Sequence, residues 1–113
     1  MGVDLVLIGD SIRMGYQATV RERLASVDIW SPEASSGDSA NVMAHLDEWV
    51  VAHSPQLVHL NCGLHDIKKP FDSGRAQIGL DEYRRHLIEI FDRILSTGAR
   101  LVWASTTPVD EDL

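Results

Sequence analysis

The chain has 113 residues, 44% of them hydrophobic and 24% charged, with a formal charge of -7. These values are those of one globular domain, residues 1–113, able to bury a core without disulfide or metal staples. The acidic balance argues against nucleic acid and anionic membranes as partners, no apolar run reaches membrane-spanning length, and the single Cys62 excludes an internal disulfide or a thiolate metal site.

The start, "MGVDLVLIG", lacks the basic segment and cleavage site of a signal peptide, which makes a cytoplasmic location the default expectation. Val3 to Ile8 is a short run rich in branched residues and predicts a strand buried on both faces, ended by Gly9. From Ser11 the pattern turns helical, with Met14, Ala18 or Val20 and Leu24 inward and Arg21, Glu22 and Arg23 outside. "VDIW" (27–30) reads as a second strand and "SPEASSGD" (31–38) as a loop. Asp38 or Ser39 can cap a helix running to about His53, with Val42, Leu46, Trp49 and Val50 on one face.

"LVHL" (57–60) predicts the third strand, left at Asn61-Cys62-Gly63. A polar stretch follows, in which Lys68, Lys69 and Arg75 read as a solvated loop or as a lid with a preference for anionic substrates. The strongest helix begins near Asp81, with Tyr83, Leu87, Ile90, Phe91, Ile94 and Leu95 as its stripe and Gly98 at its C-cap. "RLVWAST" (100–106) predicts the fourth strand.

Strands alternating with helices imply a parallel sheet covered on both faces, with its sites at the carboxyl ends of the strands. The glycine-bearing loops fall at those ends: Gly9-Asp10-Ser11, Ser36-Gly37-Asp38 and Gly63-Leu64-His65-Asp66, joined by Thr106-Thr107-Pro108. Acyl transfer needs an exposed serine on a tight turn, donors aimed at the developing oxyanion, and a base for the serine proton. Ser11 between a strand and a helix is either a helix N-cap or such a nucleophile, with its own N–H at a helix N-terminus. Asp10 reads as structural, holding the turn by side-chain-to-backbone bonds. Gly37 offers an unobstructed N–H or simply precedes a cap. His65 offers a ring N–H or is a hydrogen-bonded loop residue. Met14 and Tyr16 line an acyl pocket or pack beneath it. His45, His53, His59 and His86 read as packed or solvated residues without metal-ligand spacing, and neither a metal nor a cofactor is implied.

The blocks "GDSI", "SSGDS" and "GLHD", in this order, resemble the first three sequence blocks of the SGNH hydrolases, also called GDSL esterases and lipases. "GDSIRMGY" with "SSGDS" and "NCGLHDIK" makes the resemblance specific. It implies a three-layer αβα, flavodoxin-like fold with a parallel sheet of order 2-1-3-4. It also implies Ser11 as nucleophile, with an oxyanion hole formed by Ser11, Gly37 and the residue at position 65. The family has Asn at that last position and this chain has His65, whose tautomer Asp66 or a backbone carbonyl would fix. Asp10, Asn61, Gly63 and Asp66 are the supporting residues.

The family's base comes from an Asp-x-x-His block beyond a fifth strand, and these residues contain no such block. The expectation is therefore a truncated SGNH-like domain whose last strand and closing helix are missing. Its substrate would be a small-molecule or carbohydrate ester, and the chain would self-associate through the exposed fourth strand. The alternative expectation is a catalytically inactive flavodoxin-like fragment or binding module.

Overall fold

The computed structural model describes residues 2–67 and 78–106, so the readings of Lys68, Lys69, Arg75, Thr107 and Pro108 lie outside the described residues. The elements follow in chain order as β1 (Leu5–Ile8), α1 (Ser11–Arg23), β2 (Ile29–Trp30), α2 (Ser39–Ala44), α3 (Leu46–Trp49), a 3-10 turn (Val51–His53), β3 (Leu57–Leu60), α4 (Leu64–Ile67), α5 (Leu80–Ser96) and β4 (Arg100–Trp103). The sheet is wholly parallel in the order β2-β1-β3-β4, as the sequence blocks implied. β1 is its centre: Leu5 lies beside both Ile29 and Leu57, and Ile8 beside Leu60.

Because strand side chains alternate, the sheet builds two cores. On one face Val6, Ile8, Val58 and Leu60 pack with Val42, Leu46, Trp49 and Val50 and with Ile90 and Ile94 of α5. On the other face Leu5, Leu7 and Ile29 pack with Val20, Val27 and Leu57 around α1. Even cover of both faces was expected. Only β1 is buried on both, whereas in β4 the residues Arg100 and Val102 are exposed. Among the described residues α1 is the one helix on that face, and it packs over β1.

α1 departs from its sequence pattern. Met14 and Leu24, expected inside, are 40% and 42% exposed, and the buried residue of the helix is Arg13. In α5 the stripe holds at Tyr83, Leu87, Ile90, Phe91 and Ile94, while Leu95 is exposed. Asp81 and Glu82 lie in its first turn, where negative charge suits the helix dipole, and Gly98 has the positive φ of a C-cap.

The helix expected over 38–53 is broken instead at His45. The His45 ring Nδ1–H donates to the Asn41 carbonyl at 2.7 Å, the acceptor that the His45 amide would use in a continuing helix. The His45 amide turns to Val42 O at 3.1 Å, a tighter 3-10 bond. His53 repeats the move with its ring on Trp49 O, and Ser54 then takes a left-handed φ of 43. A helix-forming pattern is interrupted where an imidazole competes for the backbone carbonyl.

Ile90 is fully buried where α5 meets the sheet. Ile90→Ala is expected to cost about 2–5 kcal/mol, because a cavity adds to the lost transfer energy. Urea unfolding monitored by circular dichroism checks this, with the midpoint falling and the slope unchanged.

Candidate active site

The turn after β1 settles which residue caps α1. Asp10 is the N-cap: its side chain accepts the Ile12 N–H at 2.9 Å, and the residue is buried. Ser11 is therefore the first helical residue, exposed, and its hydroxyl is not required for capping. The second carboxylate oxygen of Asp10, Oδ2, is buried without a hydrogen-bond partner among the described residues.

The loop after β2 is bonded directly to that turn. Gly9 N–H donates to Ser36 Oγ at 3.1 Å, and Ser36 N–H donates back to Gly9 O at 2.9 Å. Ser36 is fully buried, so this reciprocal pair is shielded from water. Gly37 follows with φ +72, a left-handed conformation that favours glycine, and its N–H lies 3.4 Å from Ser35 Oγ, a long and weak contact. Asn41 braces the loop from below, donating its side-chain amide to Ser36 O at 2.8 Å, while Asp38 caps α2 by accepting the Asn41 N–H.

The third loop leaves β3 through Asn61, whose side chain donates to Ala104 O at 2.7 Å and so ties β3 to the end of β4. Cys62 O accepts from Tyr83 Oη at 2.7 Å and from Thr106 Oγ1 at 3.0 Å. Gly63 lies beneath these two hydroxyls with φ +149. A Cβ there would sit 2.3 Å from Thr106 Oγ1, so both conformation and space demand glycine. His65 then occupies α4, partly buried.

Asp66, expected together with a backbone carbonyl as one of two candidates to fix the His65 tautomer, turns to Ser39. Its Oδ1 accepts the Ser39 N–H at 2.9 Å and its Oδ2 accepts from Ser39 Oγ at 2.5 Å. Burial pushes the Asp66 carboxyl above the usual carboxylate range, and the two bonds from Ser39 oppose that shift. Hydrogen bonds thus run from Gly9 to Ser36 and, across α2's first turn, from Ser39 to Asp66. Ser11 at the head of α1, Gly37 in the loop after β2 and His65 in α4 lie on segments that these bonds join.

Sequence reasoning missed Arg13. It is 1% exposed, and donates through Nε to Gly9 O at 3.2 Å, and through its two terminal nitrogens to Pro32 O, Ala34 O and Gln17 Oε1. Burial lowers its pKa, though a guanidinium stays protonated. Nothing in the local pattern distinguishes Arg13 from Arg21 or Arg23, since its burial depends on residues 32–36 folding over it. Cys62 is also inert by placement: burial, with Asp66, Asp10 and Asp38 nearby, pushes its thiol up to about 12. Tyr16 packs edge-on to His59 at 6.2 Å, and Met14 is exposed beyond Ser11.

Arg13→Leu would leave the Pro32 and Ala34 carbonyls without their donor. It is expected to destabilise the fold by about 2–4 kcal/mol, since unmet buried acceptors each cost about 1–3 kcal/mol. Chemical denaturation of the two proteins measures the difference, and Arg13→Lys should recover only part of it because one ammonium cannot span three carbonyls.

No known family model matches the chain, and no curated protein does. Solved structures do. An acetyl xylan esterase, AlAXEase, superposes with a TM-score of 0.76 at 13% identity, over 89% of this chain and 57% of its own. TesA gives 0.72 at 21% identity, over 88% and 58%. A catalytic mutant of an acetylxylan esterase from Geobacillus stearothermophilus gives 0.69 at 18%, over 91% and 60%. The chain spans little more than half the length of these structures. With its parallel sheet in the order β2-β1-β3-β4, the chain has the flavodoxin-like α/β fold of these structures over a little more than half of their length.

Proposed function

We propose that this chain supplies the nucleophile and the oxyanion donors of an SGNH-type serine esterase. The observation that carries the reading is the division of labour at the head of α1. Asp10 does the capping, which leaves Ser11 exposed on a turn bonded to the loop of Gly37. In the reaction Ser11 Oγ attacks the ester carbonyl carbon. The oxyanion is held by the N–H of Ser11 at the head of a helix, the N–H of Gly37 and a ring N–H of His65. The bond to the leaving alkoxide then breaks, the alkoxide takes the proton removed from Ser11, and water releases the acyl group from Ser11.

The reading gives none of these residues the role of proton acceptor. Losing one triad member commonly costs about 10^4-fold in rate, so the isolated chain is a slow enzyme with an intact acceptor site. Two of the similar structures are acetyl xylan esterases by name, which favours a short acyl group on a carbohydrate as the substrate.

Hydrolysis of p-nitrophenyl acetate and covalent labelling by a fluorophosphonate should both be slow and both vanish in Ser11→Ala. Equal signal from the two proteins would overturn the esterase reading in favour of a binding module.

We further propose that a second copy pairs along β4. Among the described residues β4 has a strand partner on one side, β3, and its Val102 is 44% exposed. Sedimentation velocity at micromolar concentration should show a dimer that Val102→Lys weakens. A monodisperse monomer would overturn this.

A further inference from the structure

The reaction above does not use the buried hydrogen-bonded cluster around Ser39. Ser39, at the start of α2, is fully buried. Its Oγ lies 2.5 Å from Asp66 Oδ2 and 2.8 Å from Nδ1 of His86, on α5. On its far side the His86 Nε2 lies 3.7 Å from Glu82. A serine hydroxyl has one proton and cannot donate to both neighbours. With Asp66 ionised, the proton goes to the carboxylate, and Ser39 Oγ accepts from a protonated Nδ1 of His86. The direction of every bond in the line is then fixed: His86 to Ser39, and Ser39 to Asp66 twice.

The ends of this line explain why it matters. Ser39 lies two residues beyond Gly37, and Asp66 directly follows His65. α2 has only 6 residues, too few to be stable alone, and has one apolar core anchor, Val42, whereas α5 has 17 residues and is anchored by Ile90 and Ile94. We propose that His86 is a positioning residue which, through Ser39 and Asp66, references the loops of Gly37 and His65 to α5 and so sets their spacing. The catalytic meaning of that spacing rests on the esterase reading; the mechanical link does not.

Nitrogen-15 NMR of the histidine rings, with amide spectra of His86→Leu and His86→Asn, tests the link. Asparagine carries an amide N–H near the position of the imidazole Nδ1 and should restore the bond. The expected result is a protonated His86 Nδ1 at neutral pH. In His86→Leu the Gly37 and His65 amide signals should move and fluorophosphonate labelling of Ser11 should slow by about 10-fold, as small misplacements at a reacting centre do. In His86→Asn the signals should stay in place and the rate should hold within about 2-fold. Unmoved amide signals in a folded His86→Leu, or an unprotonated Nδ1 in the wild-type chain, would overturn the proposal. Should His86→Leu not fold, the Nδ1 state and the His86→Asn spectra still decide. A wild-type chain that is never labelled would sink the esterase reading, and the amide signals would judge the positioning separately.

Discussion

The reciprocal bond between Gly9 and Ser36 is the contact on which the rim of the sheet depends. At the carboxyl end of a parallel strand the ladder stops, and the next backbone groups need partners from loops. Gly9 meets that need by giving its N–H to the Ser36 hydroxyl and taking the Ser36 N–H on its carbonyl. Arg13 adds a further donor to the same carbonyl and reaches on to Pro32 and Ala34. The turn carrying Ser11 and the loop carrying Gly37 are therefore one hydrogen-bonded body. Its polar groups are buried, where an unmet partner would cost about 1–3 kcal/mol. That penalty keeps the two loops in register.

What could be read in the sequence was what depends on neighbours along the chain. Four strand runs, the stripe of α5 and the turn glycines are local patterns, and each recurs in the structure, β3 with its expected bounds and the other three strands shorter by two or three residues. The parallel order followed from the alternation of strands with helices and from the three blocks. The failures share one cause, competition from distant or unusual partners. His45 breaks a sound helical pattern because its ring takes a carbonyl meant for an amide. Arg13 is buried because a loop about twenty residues later offers two carbonyls to it. Asp66 faces Ser39 rather than His65 because a buried carboxylate goes where it finds the most donors. Periodicity carries no information about such bonds.

The two faces of the sheet are built to different standards, and the candidate site depends on the better one. The face toward α2, α3 and α5 is closed, and it holds the loops after β2 and β3 from beneath through Asn41, Tyr83 and Ser39. The opposite face is covered over β1 and β2 but leaves Val102 exposed on β4. A candidate oxyanion pocket made from backbone amides needs rigid support more than it needs cover, and the closed face supplies that support.

The electrostatics of the rim at first oppose the chemistry proposed for it. Asp10, Asp38 and Asp66 are close enough to Cys62 to raise its thiol further, and an oxyanion formed nearby meets the same three carboxylates. The hydrogen bonds answer this. Asp10 faces the first turn of α1 and accepts the Ile12 N–H, Asp38 accepts at the head of α2, and Asp66 accepts from Ser39 through both oxygens. Each of the three carboxylates accepts backbone or hydroxyl donors at a helix N-terminus, which offsets part of its charge there. In the proposed reaction the Ser11 N–H, at the head of α1, is a donor for new negative charge on this acidic rim. On the esterase reading proposed above, a neutral ester suits this rim better than an anionic one, since an acid would meet the carboxylates on approach.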